Sequence, residues 1–221
     1  MSDSSGNWFS KFKKVSQLEP KPNPDVVPKQ TIETRKWNNK GVSLHNRGRY
    51  EDAIRCYVQA LELDPQNGDA WYNKGNSLDS LDRFEEALLC YDKALELDPR
   101  FVMAWTNKGA SLHNLGRNEE AIRCLDRALE LDPRHAFAWG NKGNSLLGLG
   151  RHEEAIDCYD KALELDPHDA FAWYNKALAE DELGYLRDAA RSYQQFLALA
   201  LSQQYAEQIE YARKRLRELG G

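Results

Sequence analysis

No stretch of the sequence approaches the roughly eighteen consecutive apolar residues that a membrane-spanning helix needs. The opening stretch, MSDSSGNWFSKFKK, also lacks the continuous apolar core of a secretory signal. A basic surplus is missing as well, because 35 acidic residues outnumber 30 basic ones and give a net charge of −5. Proteins that bind nucleic acid through phosphate contacts usually carry the opposite balance. These absences favour a cytoplasmic protein and argue against binding of nucleic acid through phosphate contacts.

The motifs that usually mark an enzyme or a metalloprotein are also missing. The sequence has no glycine-rich phosphate loop, no G-x-S-x-G, no H-E-x-x-H and no C-x2-C. The five histidines are scattered, and no nucleophile is paired with a base at a recurring spacing. We therefore expect no catalytic activity, no cofactor and no bound metal.

What the sequence does have is a period of 34 residues. Five tryptophans, all four cysteines and four prolines recur at this spacing, and each of these prolines closes an identical L-E-L-D-P motif. The residues are Trp37, Trp71, Trp105, Trp139 and Trp173; Cys56, Cys90, Cys124 and Cys158; Pro65, Pro99, Pro133 and Pro167. The repeats, numbered one to five, are 34–67, 68–101, 102–135, 136–169 and 170–203. An N-terminal segment at 1–33 and a C-terminal tail at 204–221 flank them.

Each repeat is predicted to form two helices, because its apolar residues recur at helical spacing in both halves. Between the halves stands a glycine suited to a left-handed helix cap. These glycines are Gly48, Gly116, Gly150 and Gly184, and repeat two has Asp82 instead. The second helix should end at the aspartate of L-E-L-D-P, since a residue before proline is disfavoured in α conformation.

This pattern resembles the tetratricopeptide repeat family, whose signature W-x2-L-G-x2-Y…A-x3-F…P spans 34 residues. In repeat two, Trp71, Gly75, Ala87 and Pro99 match it, and the resemblance covers about three-quarters of the chain. It implies an all-α fold: a right-handed α-solenoid of five helix-turn-helix repeats whose first helices line a concave groove. A C-terminal capping helix at 204–221 completes the prediction.

Lysine and cysteine recur at fixed positions in the repeats, and neither belongs to the family signature. Lysine replaces the signature leucine in every repeat, and we expect its stem to cover the neighbouring repeat while its ammonium stays in solvent. These residues are Lys40, Lys74, Lys108, Lys142 and Lys176. The four cysteines are interpreted as small buried filler, because equivalent residues on helices packed about 8–10 Å apart are too distant for a disulfide or a shared zinc ion.

The two ends of the chain call for separate predictions. Repeat five is degenerate, with Ala177 in the glycine position and Glu180 in the tyrosine position. After it, one apolar stripe is predicted to pack on repeat five, with Arg213, Lys214, Arg215 and Arg217 outside the stripe. The stripe consists of Tyr205, Ile209, Ala212, Leu216 and Leu219.

The N-terminal segment reads as an aromatic stretch followed by a proline-rich linker. Four prolines between residues 19 and 30 favour an extended conformation there. Before them, Trp8, Phe12 and Val15 would lie on one side of a short helix, with Phe9 at its edge. We expect this segment to dock on the exposed end of repeat one in preference to the groove; a simple tail remains the alternative.

One candidate site is an asparagine ladder, found two residues before the glycine position of each repeat: Asn39, Asn73, Asn107, Asn141 and Asn175. In proteins similar to this family, asparagine at this position holds a peptide backbone, since an amide both donates and accepts hydrogen bonds. The alternative is that each asparagine bonds its own or the neighbouring repeat.

Apolar residues at variable positions form the second candidate set. Met103, Phe137 and Phe171 stand two residues before their tryptophans, and Tyr72 and Tyr174 directly follow theirs. If they face the groove, they would contact a ligand. Otherwise they pack against the preceding repeat.

We therefore interpret the chain as a scaffold that binds a peptide segment of a partner protein, and self-association stays open. An RNA-binding helical repeat is the first alternative, opposed by the −7 charge left to the repeats once each flank is counted as +1. A peripheral membrane adaptor using Trp8, Phe9, Phe12 and nearby lysines is the second. A clamp for a terminal carboxylate is disfavoured, because only Asn73 fits the pattern that such clamps require.

Overall fold

The structure is a computed structural model and describes residues 29–200 and 205–220. Within these ranges the chain is helical: α1 Lys29–His45, α2 Tyr50–Leu63, α3 Gly68–Asp79, α4 Phe84–Leu97, α5 Val102–Asn114, α6 Asn118–Leu131, α7 Ala136–Gly148, α8 His152–Leu165, α9 Ala170–Glu182, α10 Leu186–Leu199 and α11 Ala206–Glu218. Helices α1 to α10 pair into five repeats, which confirms the predicted solenoid. The predictions for the aromatic stretch and for most of the linker lie outside the described residues.

Helix α1 is longer than the other first helices. It begins at Lys29, five residues before the position at which repeat one was expected to start. Residues 29–33, assigned by sequence to the N-terminal segment, are therefore helical, and the extended linker predicted for 19–30 does not reach its last two residues.

The packing pattern shows which helices face the inside of the curve. The first helices of adjacent repeats contact one another, and each second helix contacts the first helix of the next repeat. Among the described residues, no two second helices contact each other as extensively. Because the first helices lie closer together, the array curves toward them. The first helices therefore line the concave face.

Each repeat is closed by a large side chain of the second helix that packs on the glycine position of the first. Tyr91 and Tyr159 are fully buried, and they lie directly opposite Gly75 and Gly143. A β-carbon added to either glycine would come within 2.6 Å of the tyrosine ring, so in repeats two and four the ring approaches this closely because the position is glycine.

The turn between the two helices adopts the predicted left-handed cap. The four glycines have φ angles of 70–74°, and Asp82 has a φ of 56° in repeat two. In that turn the amide of Arg83 donates to Leu78 O at 3.0 Å, and the amide of Asp82 donates to Asp79 O at 2.9 Å. The turn therefore keeps its geometry where the sequence lacks glycine.

Asp82→Gly is expected to stabilise the protein by about 1 kcal/mol, because a residue with a β-carbon is strained in the left-handed region. Urea unfolding monitored by circular dichroism should show a higher midpoint. Gly116→Ala, in the same turn of repeat three, serves as the control and should lower the midpoint by a similar amount. A lower midpoint for Asp82→Gly would contradict this account of the turn.

The end of each second helix explains why tryptophan and proline share one period. Asp98 ends α4, and its side chain accepts a hydrogen bond from the amide of Arg100 at 2.9 Å. The indole of Trp105 then donates to Pro99 O at 3.0 Å. Equivalent indole bonds recur in three other repeats. The tryptophan thus fixes the loop that joins one repeat to the next.

Helix α11 packs on repeat five as predicted. Tyr205, Ile209, Ala212 and Leu216 join the apolar cluster built around Tyr193 of α10. The sequence placed Arg215 outside the apolar stripe and gave it no partner. Its guanidinium forms two hydrogen bonds with Asp181 of α9, at 2.8 and 2.6 Å. None of the described helices is long and apolar enough to cross a membrane.

Candidate peptide-binding groove

The structure exposes three of the apolar candidates at one equivalent position. Met103, Phe137 and Phe171 are each the second residue of their first helix, on α5, α7 and α9. Their exposed fractions are 40%, 55% and 46%. The same repeat position holds Arg35 and Asp69 in repeats one and two. The row therefore changes from charged in the N-terminal repeats to apolar in repeats three to five.

The two tyrosine candidates belong to the packing between elements. The ring of Tyr72 lies 4.7 Å from that of Phe101, and its hydroxyl accepts a hydrogen bond from Asn107 Nδ2 at 3.1 Å. The ring of Tyr174 lies 5.0 Å from Phe196 and 6.4 Å from Tyr211 of α11. Both tyrosines are half-buried, so the five apolar candidates divide into three exposed residues and two packed ones.

The asparagine ladder is used in part for contacts between repeats. The Nδ2 group of Asn73 donates to Asn38 Oδ1 at 3.3 Å, and that of Asn107 to Asn76 Oδ1 at 2.8 Å. Asn175 repeats the second arrangement, donating to Asn144 Oδ1 at 2.9 Å. At these three positions the amide nitrogen therefore bonds the neighbouring repeat, which was the alternative interpretation of the ladder.

Asn141 differs from these three asparagines. In repeats two and four, the receiving asparagine also accepts a hydrogen bond from a tyrosine of the second helix. Repeat three has Ala110 and Leu125 at those two positions. Asn141 Nδ2 is consequently buried without a hydrogen-bond partner among the described residues. Asn39, at the start of the array, is exposed.

The two kinds of ladder asparagine should respond differently to substitution. Asn107→Ala removes two hydrogen bonds and should cost about 1–2 kcal/mol of unfolding free energy. Asn141→Ala removes an unsatisfied buried donor, so stability should stay within about 0.5 kcal/mol of the parent or rise slightly. Urea unfolding of the two variants side by side tests this. Equal destabilisation by both would show that Asn141 has a structural partner after all.

Polar contacts between neighbouring first helices continue further along them. Ser111 donates a short hydrogen bond to Asp79, and Ser77 pairs with His45 Nδ1 at 2.9 Å. Burial raises the pKa of Asp79, an effect that the hydrogen bond from Ser111 opposes. Burial lowers the pKa of His45. Both groups are therefore committed to contacts between repeats.

The sequence suggested that the repeated lysines keep their ammonium groups in solvent, and for Lys108, Lys142 and Lys176 this is wrong, because each of them pairs with an aspartate. Each repeated lysine lies 4.9–5.6 Å from the ring centre of the tryptophan in its own repeat. Lys108 also forms an ion pair at 2.5 Å with Asp92 of the preceding repeat, and Lys142 pairs with Asp126 at 2.6 Å. Lys176 pairs in the same way with Asp160. These three lysines therefore join adjacent repeats.

The four cysteines are buried free thiols. Burial raises the pKa of Cys90 and of Cys158 to about 11, which keeps both protonated at neutral pH. In the part of the chain that the structure covers, no group of three or more histidine, cysteine or acidic residues could hold a metal ion.

Comparison with known proteins agrees with this architecture. The sequence profile of the tetratricopeptide repeat matches residues 35–67, 68–101, 102–135 and 136–169. A second profile with the same description matches residues 158–189 and so extends into repeat five. No significant match was found among curated proteins.

Several solved structures share the fold. PilF of Pseudomonas aeruginosa superposes with a TM-score of 0.72 at 22% identity, over 86% of this chain and 90% of PilF. MamA from Desulfovibrio magneticus RS-1 gives 0.69 at 24% identity, over 77% and 97% of the two chains. YrrB gives 0.63 at 24% identity, over 82% and 96%. At these identities the likeness concerns the fold alone.

Proposed function

Since this chain belongs to the tetratricopeptide repeat family, whose fold serves as a protein-interaction scaffold, we propose that it binds a peptide segment of a partner protein in its concave groove. The observation that carries the proposal is the row of exposed apolar residues Met103, Phe137 and Phe171. Isolated exposed apolar residues are common on protein surfaces. Three at one repeat position on consecutive first helices form an apolar row, which favours a binding surface.

The spacing of the row sets the pattern expected in the ligand. Neighbouring packed helices lie about 8–10 Å apart. An extended peptide in the polyproline II conformation advances about 3.1 Å per residue with three residues per turn, so every third side chain would meet the next residue of the row. A helix lying along the groove, at about 1.5 Å per residue and 3.6 residues per turn, would instead need an apolar side chain about every seventh residue. The ligand should therefore carry apolar residues at one of these two spacings.

The ladder asparagines would hold the main chain of the same ligand. Where the amide nitrogen is bonded to the preceding repeat, as in Asn107 and Asn175, the side-chain oxygen can accept a ligand N–H. Asn141 lies in the apolar half of the array, and a rotation of its side chain would turn its unpaired donor toward a ligand carbonyl. Tyr72 and Tyr174 would support the groove through their packing.

The structural relatives are compatible with this proposal. YrrB is described as a tetratricopeptide repeat protein with an unusual peptide-binding site, and its solenoid superposes on most of this chain. The identity of the partner here is a separate question, because the likeness is one of fold.

Removing the aromatic side chains of the row should weaken ligand binding. We expect Phe137→Ala or Phe171→Ala to reduce affinity about five- to a hundredfold, as burial of one aromatic group contributes roughly 1–3 kcal/mol. The probe would be a peptide selected on the immobilised protein from a random library of twelve-residue sequences. Its dissociation constant would be measured by titration calorimetry against each variant.

Leu89 provides the matched control. It is 67% exposed, but it lies on the second helix α4, away from the concave face. Leu89→Ala should leave the dissociation constant unchanged. If Leu89→Ala weakened the selected peptides as much as Phe137→Ala does, the binding surface would have to be placed on the convex side.

We also propose that the N-terminal segment docks within its own chain, on the end of repeat one. The segment joins the described structure at Lys29, next to that end, whereas the exposed row begins two repeats further along. Trp8→Ala should therefore lower stability and leave the affinity of a groove peptide unchanged. Tighter peptide binding without loss of stability would place the segment in the groove instead.

A further inference from the structure

Within the part of the chain that the structure describes, the end of repeat one has the shape of an internal junction that lacks one partner. A cavity of about 730 Å³ opens there, lined by Trp37, Lys40, Leu44 and Cys56 together with residues of α2. At the junction between repeats two and three, the equivalent positions are Trp105, Lys108, Leu112 and Cys124. That junction has four further lining residues, supplied by the preceding second helix: Glu85, Leu88, Leu89 and Asp92. The end of repeat one thus presents the receiving half of a junction.

The ion pair is the most regular part of these junctions. Lys108, Lys142 and Lys176 each combine the ring of their own tryptophan with an aspartate of the preceding second helix. Lys40 lies 4.9 Å from the ring centre of Trp37, so its ammonium is held in the same place. A helix with a carboxylate in the register of Asp92 would complete the pair.

The internal helices also define the sequence of a suitable occupant. Each partner aspartate follows an aliphatic residue by four positions, as in Leu88 and Asp92 or Ile122 and Asp126. Within residues 1–28, this spacing of an aliphatic residue and an acid occurs at Val15 and Glu19. On a helical projection, Trp8 and Phe12 fall on the same face as these two residues. Ser10, Lys13, Lys14 and Gln17 fall on the opposite face.

The length of chain between Glu19 and Lys40 is also compatible with this segment as the occupant. At the internal junction, 16 residues separate Asp92 from Lys108. Glu19 and Lys40 are separated by five residues more, and α1 starts five residues earlier than the other first helices. Those five residues lengthen the helix by about 7.5 Å. Residues 20–28, at about 3.1 Å each in an extended proline-rich chain, can span the distance from Glu19 back to the start of α1 at Lys29.

We infer that residues 8–18 take the place of the missing second helix, with Phe12 and Val15 in the cavity beside Trp37, and that Glu19, where this helix ends before Pro20, pairs its carboxylate with Lys40. This inference rests on the proposed intramolecular docking and adds its register. It gives the N-terminal segment the function of a cap, which mirrors α11 at the other end of the array.

A charge-reversal cycle in the full-length chain tests the register. Glu19→Lys and Lys40→Glu should each lower the melting temperature by a few degrees, and the double variant should recover at least half of the summed loss. Lys74 is the matched control: it lies 5.3 Å from the ring centre of Trp71, but Val58 occupies the position of the partner aspartate. Combining Glu19→Lys with Lys74→Glu should give additive losses.

Additive losses for the Glu19 and Lys40 pair would overturn the register. Hydrogen exchange of the amides of residues 8–19 separates this failure from failure of the docking itself. If the amides are protected but the Glu19 and Lys40 substitutions are not coupled, the segment docks in another register. If the amides exchange at the rate of a free peptide, the docking proposal fails as well.

Protection that is lost in Phe137→Ala would place the segment in the groove, and protection that is lost on dilution would indicate docking between two copies. Both outcomes would overturn the inference, and the groove proposal is tested independently by the selected peptides.

Discussion

Alanine in place of Gly143 is expected to lower the free energy of unfolding by about 1–3 kcal/mol, the range seen when a well-packed core is overfilled. The added β-carbon would lie 2.6 Å from Cε1 of Tyr159 and 2.9 Å from two further ring atoms. Tyr159 is fully buried and its hydroxyl donates to Asn144 at 2.8 Å, so the ring has little freedom to retreat. Helices α7 and α8 would have to move apart instead.

Gly140 is a control within the same helix. No described residue lies within 4 Å of the β-carbon that alanine would place there. Gly140→Ala should therefore stabilise the protein by up to about 1 kcal/mol through helix propensity alone. Equilibrium urea unfolding should shift in opposite directions for the two variants. A shift in the same direction would mean that close packing of the tyrosine ring does not limit this position.

Repeat five indicates why Gly143→Ala should weaken the fold without abolishing it. Ala177 occupies the glycine position there, opposite the buried Tyr193. The fold can thus accommodate one extra methyl group when the neighbouring residues differ. Repeat five also has Leu178 where repeat four has Asn144, so its tyrosine is not held by the same hydrogen bond.

The local features of this fold were predictable from the sequence because they depend on residues close together in the chain. The 34-residue period gives the number of repeats, and helical spacing gives their two helices. The left-handed turns follow from glycine, whose missing side chain permits a positive φ. The helix ends follow from the restriction that proline places on the preceding aspartate.

Contacts between repeats were predicted less well. Lys108 and Asp92 are 16 positions apart and Asn107 and Asn76 are 31 apart, so neither pair belongs to one helix face. Their partnership depends on how far each repeat is rotated against the next. A signal was present all the same, since Asp92, Asp126 and Asp160 keep the same period as the lysines.

In the candidate groove too, local features were predictable from the sequence, whereas contacts between repeats were not. Exposure of Phe137 and Phe171 follows from their place at the start of a first helix, where no element of the following repeat covers them. From the sequence pattern alone, Tyr72 and Tyr174 would be expected to be equally exposed. Each is covered by a residue that the period does not specify: Phe101 for Tyr72, and Tyr211 of α11 for Tyr174.

Loss of the Arg215 guanidinium should release the C-terminal cap. The Arg215 side chain meets both carboxylate oxygens of Asp181, whose side chain is only 9% exposed. Arg215→Ala would leave that carboxylate nearly buried and without its cation, which costs up to about 3–5 kcal/mol at fully buried sites. Because the arginine side chain is itself 27% exposed and therefore screened by solvent, we expect a smaller loss than this.

The effect should be confined to the end of the array, because a repeat protein is stabilised mainly by contacts between nearest neighbours. Hydrogen exchange should accelerate in α9, α10 and α11 and stay unchanged in α1 to α4. Arg213→Ala removes an exposed cation from the same helix and should change stability by less than about 0.5 kcal/mol. The stability of Arg215→Lys should fall between those of Arg213→Ala and Arg215→Ala, because lysine keeps the charge but loses the paired geometry.

Deleting 204–221 should have a larger effect, since it exposes Phe196 and Tyr193 of the terminal cluster. The shortened protein should self-associate on size-exclusion chromatography. If Arg215→Ala proved as mild as Arg213→Ala, the apolar stripe alone would hold α11 in place, and the pairing with Asp181 would contribute orientation but no measurable stability.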